Sequence, residues 1–419
     1  MLGNVIHAVC QFGMNILVAR VLLPADYGLI NYSASIATFF VAISTLGFHG
    51  TITKKFAENE DNAGKYLWSA AITKLVLSLP LVLACVLIGY LQNPGDGKLH
   101  SVMLCQAMTI PFASLDLFIY WFRYKYKASL VAILRFVAFL LALLWRIVAL
   151  FWFKSTALYV LGTVGETMLL GLMLLIIYKV MNYPKLSFER SCLKELLSVS
   201  YPFIFSAILT TIYGHTDMIM LEWFLSSEAV GYYSVSLTLA GAISIIPNAI
   251  IEGFRPEIMR LKETDEAGYQ KRMRQVYFCV FWVCMAYCTF ITIFAHWIVL
   301  WLYGAQYLPS VPVLSLIVWY TSFSYFGAIN SIFMVAEQRT KWVLITTLLG
   351  ALVNVLLNCA LVPTLGIMGA ALASLITQII INNVMLLIIR PLRKCFFLQV
   401  KGILNIDCFP IREFLKKGR

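Results

Sequence analysis

Along this chain, runs of apolar residues alternate with short polar gaps, and charged side chains are nearly confined to the gaps. There are about twelve runs of roughly 20 residues, each long enough to cross ~30 Å of hydrocarbon as an α-helix with its backbone satisfied internally. The pattern predicts spanning helices over 3–23, 28–50, 67–91, 100–120, 130–152 and 155–178, then 197–224, 230–253, 276–300, 310–336, 342–362 and 368–389. Gaps after odd-numbered runs are short and carry only Lys98 and Lys154 as cations. Gaps after even-numbered runs hold Lys54, Lys55 and Lys65, then Arg123, Lys125 and Lys127, then Lys179, Lys185, Arg190 and Lys194. Arg255, Arg260, Lys262, Lys271, Arg272 and Arg274 follow, then Arg339 and Lys341, and the segment from Arg390 adds more. Basic residues favour cytoplasmic loops, so both termini are expected in the cytoplasm. No Lys or Arg precedes Arg20, so this orientation rests on the later loops.

The expected fold is therefore an all-α integral membrane protein. Two six-helix bundles are expected, at 1–194 and 195–390, followed by a basic cytoplasmic tail at 391–419. Composition agrees: 61% of residues are hydrophobic and 12% charged, against about a quarter charged in soluble proteins. The net charge of +12 would suit nucleic acid, but its cations lie in interhelical loops, so no nucleic-acid partner is expected. Ten cysteines are scattered without a CxxC pair or a Cys/His cluster, so neither disulfides nor a metal or other cofactor is expected. The first apolar run lacks a basic leader, so no cleavable signal peptide is expected. The longest gap, Arg255 to Gln275, is charged and helix-prone and reads as a cytoplasmic hairpin. No gap approaches the ~50 residues of a folded catalytic domain, which leaves the chemistry between the helices. In the tail, Cys395-Phe396-Phe397-Leu398 is too short to span and reads as a surface-lying segment.

An internal repeat is visible. Pro24-Ala25-Asp26-Tyr27-Gly28 leads into the second run and Ser227-Glu228-Ala229-Val230-Gly231 into the eighth, with the two glycines 203 residues apart. Six helices is an even number, so both halves enter the membrane from the same side, as in transporters built from parallel repeats. At these turns the chain resembles the polysaccharide repeat-unit (O-antigen type) flippases of the multidrug/oligosaccharidyl-lipid/polysaccharide superfamily. The residues that carry the resemblance are Ala19-Arg20-Val21-Leu22, Pro24, Tyr27, Gly28, Gly47 and Lys54-Lys55. Asp217 with Met220-Leu221, Val230-Gly231-Tyr232-Tyr233, Ala240 and Pro363 through Ala371 complete it. Leu23 departs from the glycine usual before that proline, and the amino end looks clipped. The resemblance implies a central cavity opening alternately to either side. It also implies a substrate made of a sugar repeat unit on a polyprenyl pyrophosphate, and work alongside a polysaccharide polymerase in the bacterial cytoplasmic membrane.

Moving a pyrophosphate and sugars through lipid requires a wet passage with fixed cations. The intramembrane candidates for substrate binding are Lys74 in the third run, Arg135 and Arg146 in the fifth, and Arg20 near the outer end of the first. Arg135 and Arg146 are 11 residues apart, roughly 16 Å along one helix face. A mid-membrane cation costs about 2.5–3.5 kcal/mol on insertion scales, so such groups face protein or water. The structural alternatives are snorkelling for Arg20 and Lys74, an Arg135–Asp116 pair and an Arg146–Glu166 pair. Asp217, His215 and Glu166 are candidates for coupling to H⁺ or Na⁺, with an Asp217–Arg20 pair as the bland reading. His7 and His296 read as satisfied core residues, and Trp297, Trp301, Tyr303 and Tyr307 as an interfacial belt. Gly28, Gly231, Gly366 and Gly369 read as turn or close-packing residues, and Pro202, Pro247 and Pro312 as bending points. An ion-coupled multidrug exporter of the same superfamily is the alternative within transport. An integral-membrane polymerase or ligase is the alternative outside it, though paired carboxylates are not found.

Overall fold

The computed structural model describes residues 2–404, with side chains from residue 7 onward and that of residue 202 excepted. All the regular structure among the described residues is helical. Eleven of its helices are long and apolar enough to span a membrane, and they coincide with the second to twelfth runs of the sequence pattern. Ahead of them, α1 (Leu2–Val21) has 20 residues, about 30 Å of helix. The spans are α2 (Pro24–Ser44), α3 (Ala63–Gln92), α4 (Gly97–Tyr124), α5 (Ala128–Phe153) and α6 (Thr156–Val180). The next are α7 (Arg190–Phe224, spanning from Phe203) and α8 (Ser227–Thr264). The last four are α9 (Glu266–Leu302), α10 (Ser310–Ala336), α11 (Thr340–Leu365) and α12 (Ile367–Ile388). A final amphipathic helix, α13 (Arg393–Leu404), ends the described chain.

Outward-facing leucines identify the solvent. Leu75, Leu79, Leu83 and Leu87 recur every four residues along α3 at 46%, 67%, 70% and 52% exposure. Leu344, Leu348, Leu352 and Leu356 form the same stripe on α11. Water-soluble monomers do not expose continuous apolar stripes of this length, and lipid accommodates them. The chain is a multi-pass membrane protein.

Two compact units are present, Met1–Gly231 and Tyr232–Arg419. In the first, α2 packs on α7, α5 on α6, and α4 on both α3 and α6, with α1 against α5. Its core gathers Phe56, Trp121 and Tyr178, with Phe56 edge-on to Trp121 at 5.2 Å. The repeat glycines meet here. A Cβ on Gly28 would strike the Ser227 carbonyl, and one on Gly231 would strike the Pro24 carbonyl. The two similar turns pack backbone to backbone, which only glycine allows.

In the second unit, α9 packs on α8, α10 and α13, and α12 on α10 and α11. The charged segment between α8 and α9 is a helical hairpin turning at Asp265, whose carboxylate caps α9 by accepting from the Gly268 amide. The tail segment around Cys395 is partly a core element: Cys395 and Leu398 are buried against Tyr277 and Phe333, while Phe397 stays outside. Tyr277 donates to Asn330 Oδ1 at 2.6 Å, and the Asn330 amide donates to Asn382 on the π-turn Ile380–Val384 of α12.

Several expectations are corrected. Tyr303 and Tyr307 are fully buried and packed on each other at 5.8 Å, closing the α9–α10 turn, whereas Trp297 and Trp301 do face outward. His296 is exposed beside Trp297 instead of buried. Pro312 lies in the first turn of α10, where an amide has no intrahelical acceptor to lose, so it starts a helix and does not bend one. Pro247 follows a 3₁₀ turn at Ala242–Ser244, and the side chain of Pro202 is not among those described. Pro80, Pro256 and Pro363 also lie inside helices. Around Pro111, α4 breaks into a 3₁₀ turn at Ala113–Asp116.

Candidate functional site

Arg146 with Glu166 and Lys74 with Asp116 anchor two clusters of intramembrane charge, both in the first unit. The first is built on α5, α6 and α1. Arg146, 2% exposed, donates from one terminal nitrogen to Glu166 Oε2 at 2.7 Å and from the other to Gln11 Oε1 at 3.4 Å. Its Nε is buried with no hydrogen-bond partner. His7 Nε2 lies 3.5 Å from the other Glu166 oxygen, and its ring packs on Phe139 at 4.5 Å. Gly162 makes room for the arginine stem: a Cβ there would meet Arg146 Cγ at 2.5 Å. The Arg146–Glu166 pair is the structural alternative raised by the sequence, and it coexists with unused donors on the guanidinium. His7 and Gln11 are new members. They stand four apart on α1, hence on one face, and this spacing is the signal that could have found them.

The second cluster uses the break in α4. Lys74, 1% exposed on α3, donates to Asp116 Oδ1 at 2.7 Å and to the Ala113 carbonyl at 2.8 Å within the 3₁₀ turn. Its ammonium thus finds a carboxylate and a backbone acceptor in the interior, and it does not snorkel. Asp116 belongs to Lys74 and not to Arg135, which is half-buried on α5 within electrostatic range of Tyr120. His49, just past α2, places Nε2 3.4 Å from Asp116 Oδ2 and stacks on Tyr120 at 5.0 Å. No spacing pattern points to His49, because its partners Asp116 and Tyr120 come from another helix.

His49 also lines an open groove of about 400 Å³ between the end of α2 and α7. Thr45, Gly50, Phe203, Ser206, Thr210 and Thr211 complete most of its wall. Two devices hold α2 against α7 at its floor. Gly47, at φ +65°, brings its backbone where a Cβ would meet Ser200 and Ile204, and the Thr51 and Ser200 hydroxyls bond at 2.5 Å. Of the remaining candidates, Arg20 is exposed in the last turn of α1. Asp217 is buried on α7 at 8% exposure, and His215 Nδ1 lies 3.2 Å from the Ser35 hydroxyl.

At the membrane edge a further network ties α7 down. Lys55 donates to Glu58 and Glu195, and Tyr66 to the second Glu195 oxygen. The hydrogen bonds from Lys55 and then Tyr66 hold the Glu195 carboxyl below its usual range. Hydrogen bonds to Glu195 and then Glu58 raise the Lys55 ammonium above its own usual range.

The comparisons with known proteins agree with this architecture. A protein of Haloferax volcanii described as Probable flippase AglR is 27% identical over 176 residues, 40% of this chain and 36% of that protein. The match thus spans little more than a third of that relative. Among solved structures, the chain is similar to "Lipid II flippase MurJ, inward closed conformation", with a TM-score of 0.67 and 15% identity over 97% of this chain and 89% of that one. It is also similar to an inward-facing multidrug resistance MATE family transporter of the MOP superfamily, with a TM-score of 0.65 and 15% identity over 95% and 93% of the two chains. At such identities the likeness is one of fold. Residues 1–262 match the family described as Polysaccharide biosynthesis protein, and with more than half of its length so matched the chain belongs to that family.

Proposed function

We propose that this protein is a flippase, a transporter and not an enzyme, which moves polyprenyl-pyrophosphate-linked oligosaccharide repeat units across the cytoplasmic membrane by alternating access. Surface polysaccharide of the O-antigen, capsule or exopolysaccharide kind would be the product, and a polysaccharide polymerase the consumer of the flipped unit. The observation that carries the reading is Arg146, a guanidinium buried on a spanning helix whose Nε has no partner and whose Gln11 contact is long. A diphosphate supplies the acceptor oxygens that such a fork lacks, with charge-assisted bonds stronger than the amide contact it would replace. Glu166 fixes the resting direction of the fork and stands as a candidate for ion coupling, with His7 at its other carboxylate oxygen. Asp217 and His215 stand as a second coupling candidate on α7, and Arg135 and Arg20 as accessory cations. Lys74, committed to Asp116 and a carbonyl, serves the fold in this reading.

Within the two charge clusters, the acids Asp116 and Glu166 are both held by cations, which favours an anionic substrate there over a cationic drug. The test is transport of a fluorescent polyprenyl-diphosphate disaccharide by proteoliposomes. Arg146→Gln is expected to abolish transport with normal insertion, and Arg146→Lys to restore part of it. Undiminished transport by Arg146→Gln would remove the basis of the proposal.

A further inference from the structure

The groove between α2 and α7 differs chemically from the arginine cluster, and the difference lies in where its hydrogens point. Thr45 Oγ donates to the Ala42 carbonyl at 2.7 Å, Thr210 to Ser206 at 2.8 Å and Thr211 to Ala207 at 2.9 Å. Each hydroxyl has spent its one proton on its own helix, so toward the groove it presents lone pairs only. The nearby cation, Lys74, is 1% exposed with its ammonium already committed, so it offers nothing to a ligand. The wall is mostly apolar, and beside His49 and Ser206 its polar points include the acceptor hydroxyls of Thr45, Thr210 and Thr211. These suit a ligand with apolar faces and O–H donors better than phosphate, itself all acceptor. Phe203, 47% exposed, adds an apolar ring face, and Gly50 gives that ring its place: a Cβ there would crowd the Phe203 ring at 3.0 Å.

We infer that this groove is the saccharide subsite. Sugar hydroxyls donate to Thr45, Thr210 and Thr211, and a pyranose C–H face lies on Phe203. Its volume falls within the range of pockets that enclose a small ligand. The inference rests on the flippase reading and divides its substrate: rings at the α2–α7 groove, diphosphate at Arg146. Selectivity at the groove then comes from ring hydroxyls, while the arginine cluster is indifferent to the sugar.

The experiment is a thermal-shift titration of the purified full chain in detergent. The probes are maltose, lactose and chitobiose at high millimolar concentration and, separately, inorganic pyrophosphate. The variants are the Thr45→Val/Thr210→Val/Thr211→Val triple and Arg146→Gln. Valine keeps the shape and removes the lone pairs. At least one disaccharide is expected to stabilise the parent chain and Arg146→Gln alike. In the triple variant its apparent affinity should fall about five-fold per hydroxyl, on the order of a hundred-fold in all. Pyrophosphate is expected to stabilise the parent and the triple variant alike, which also shows that the triple variant is folded, and to lose its effect in Arg146→Gln. Three Thr→Ser replacements, which keep the hydroxyls, should restore the sugar response. A sugar response that survives in the triple variant, pyrophosphate sensitivity that moves to it, or no shift with any disaccharide would each overturn the assignment. Loss of pyrophosphate binding in the parent chain, with the sugar pattern intact, would instead count against the Arg146 reading alone.

Discussion

Lys74 and Asp116 form one ion pair, yet truncating its two ends should have unequal effects. The ammonium is 1% exposed and the carboxylate 27%, so the two partners differ in what water supplies once the other is gone. Asp116→Asn leaves a cation buried in the interior, a change that costs about 3–5 kcal/mol when a buried pair is broken. The asparagine oxygen can still accept from Nζ, which recovers about 1 kcal/mol, for a net loss of about 2–4 kcal/mol. Lys74→Met fills nearly the same volume with apolar atoms and leaves Asp116 partly hydrated beside His49, so the loss is about 1 kcal/mol. A gap of about 2 kcal/mol corresponds to roughly a thirty-fold difference in the unfolding equilibrium. The double variant removes both charges and should be more stable than Asp116→Asn alone, a strong non-additivity. Unfolding in mixed micelles of rising denaturing-detergent fraction, followed by circular dichroism, measures all three. Equal losses for the two single variants, or a greater loss for Lys74→Met, would refute the argument that burial of the ammonium governs this pair.

Gly28→Ala and Gly231→Ala should each destabilise the first unit by about 1–3 kcal/mol or more through backbone collision, whereas Gly13→Ala, with nothing within 4 Å, should be neutral to stabilising; thermal unfolding in detergent compares them. Glu195 has a depressed carboxyl in the fold, so its contribution is complete above the ordinary value of 4.5 and is lost as pH falls through the lower folded value. Stability should therefore be flat near neutrality and decline in acid, and Glu195→Gln should be less stable at neutral pH with a shallower acid limb; a parallel decline in both chains would count against the network. Tyr277→Phe leaves the buried Asn330 oxygen short of its donor and should lower stability by about 1–2 kcal/mol, with α13 losing amide-exchange protection before the other helices. Gly162→Val should act like a weak Arg146 variant in transport, because the added methyls displace the arginine stem without removing its charge.

The positions of the eleven candidate spans among the described residues were legible in the sequence because lipid leaves the backbone no alternative. A run of twenty apolar residues must satisfy its own amides, and a polar gap must leave the membrane. The same one-dimensional rule gave the repeat at Gly28 and Gly231 and singled out Arg146 and Lys74 as costly intramembrane charges. What the pattern could not supply was the partner of each charge, since pairing depends on which helix faces complete one another across 20 to 159 residues of chain. Asp116 lies as near in sequence to Arg135 as many true partners do, yet the 3₁₀ break beside Pro111 turns it, with the Ala113 carbonyl, toward Lys74. His49, His7 and Gln11 carry no motif and acquire meaning only where α2, α4 and the α1–α5–α6 cluster bring them beside carboxylates and a guanidinium. Tyr303 and Tyr307 show the opposite failure: aromatic residues at a helix end look interfacial in sequence, and only packing shows that their rings are buried against each other. Hydrophobicity is a property of each residue and so is written along the chain. Ion pairing, donor commitment and cavity lining are properties of residue sets, and only the folded arrangement of helices creates them.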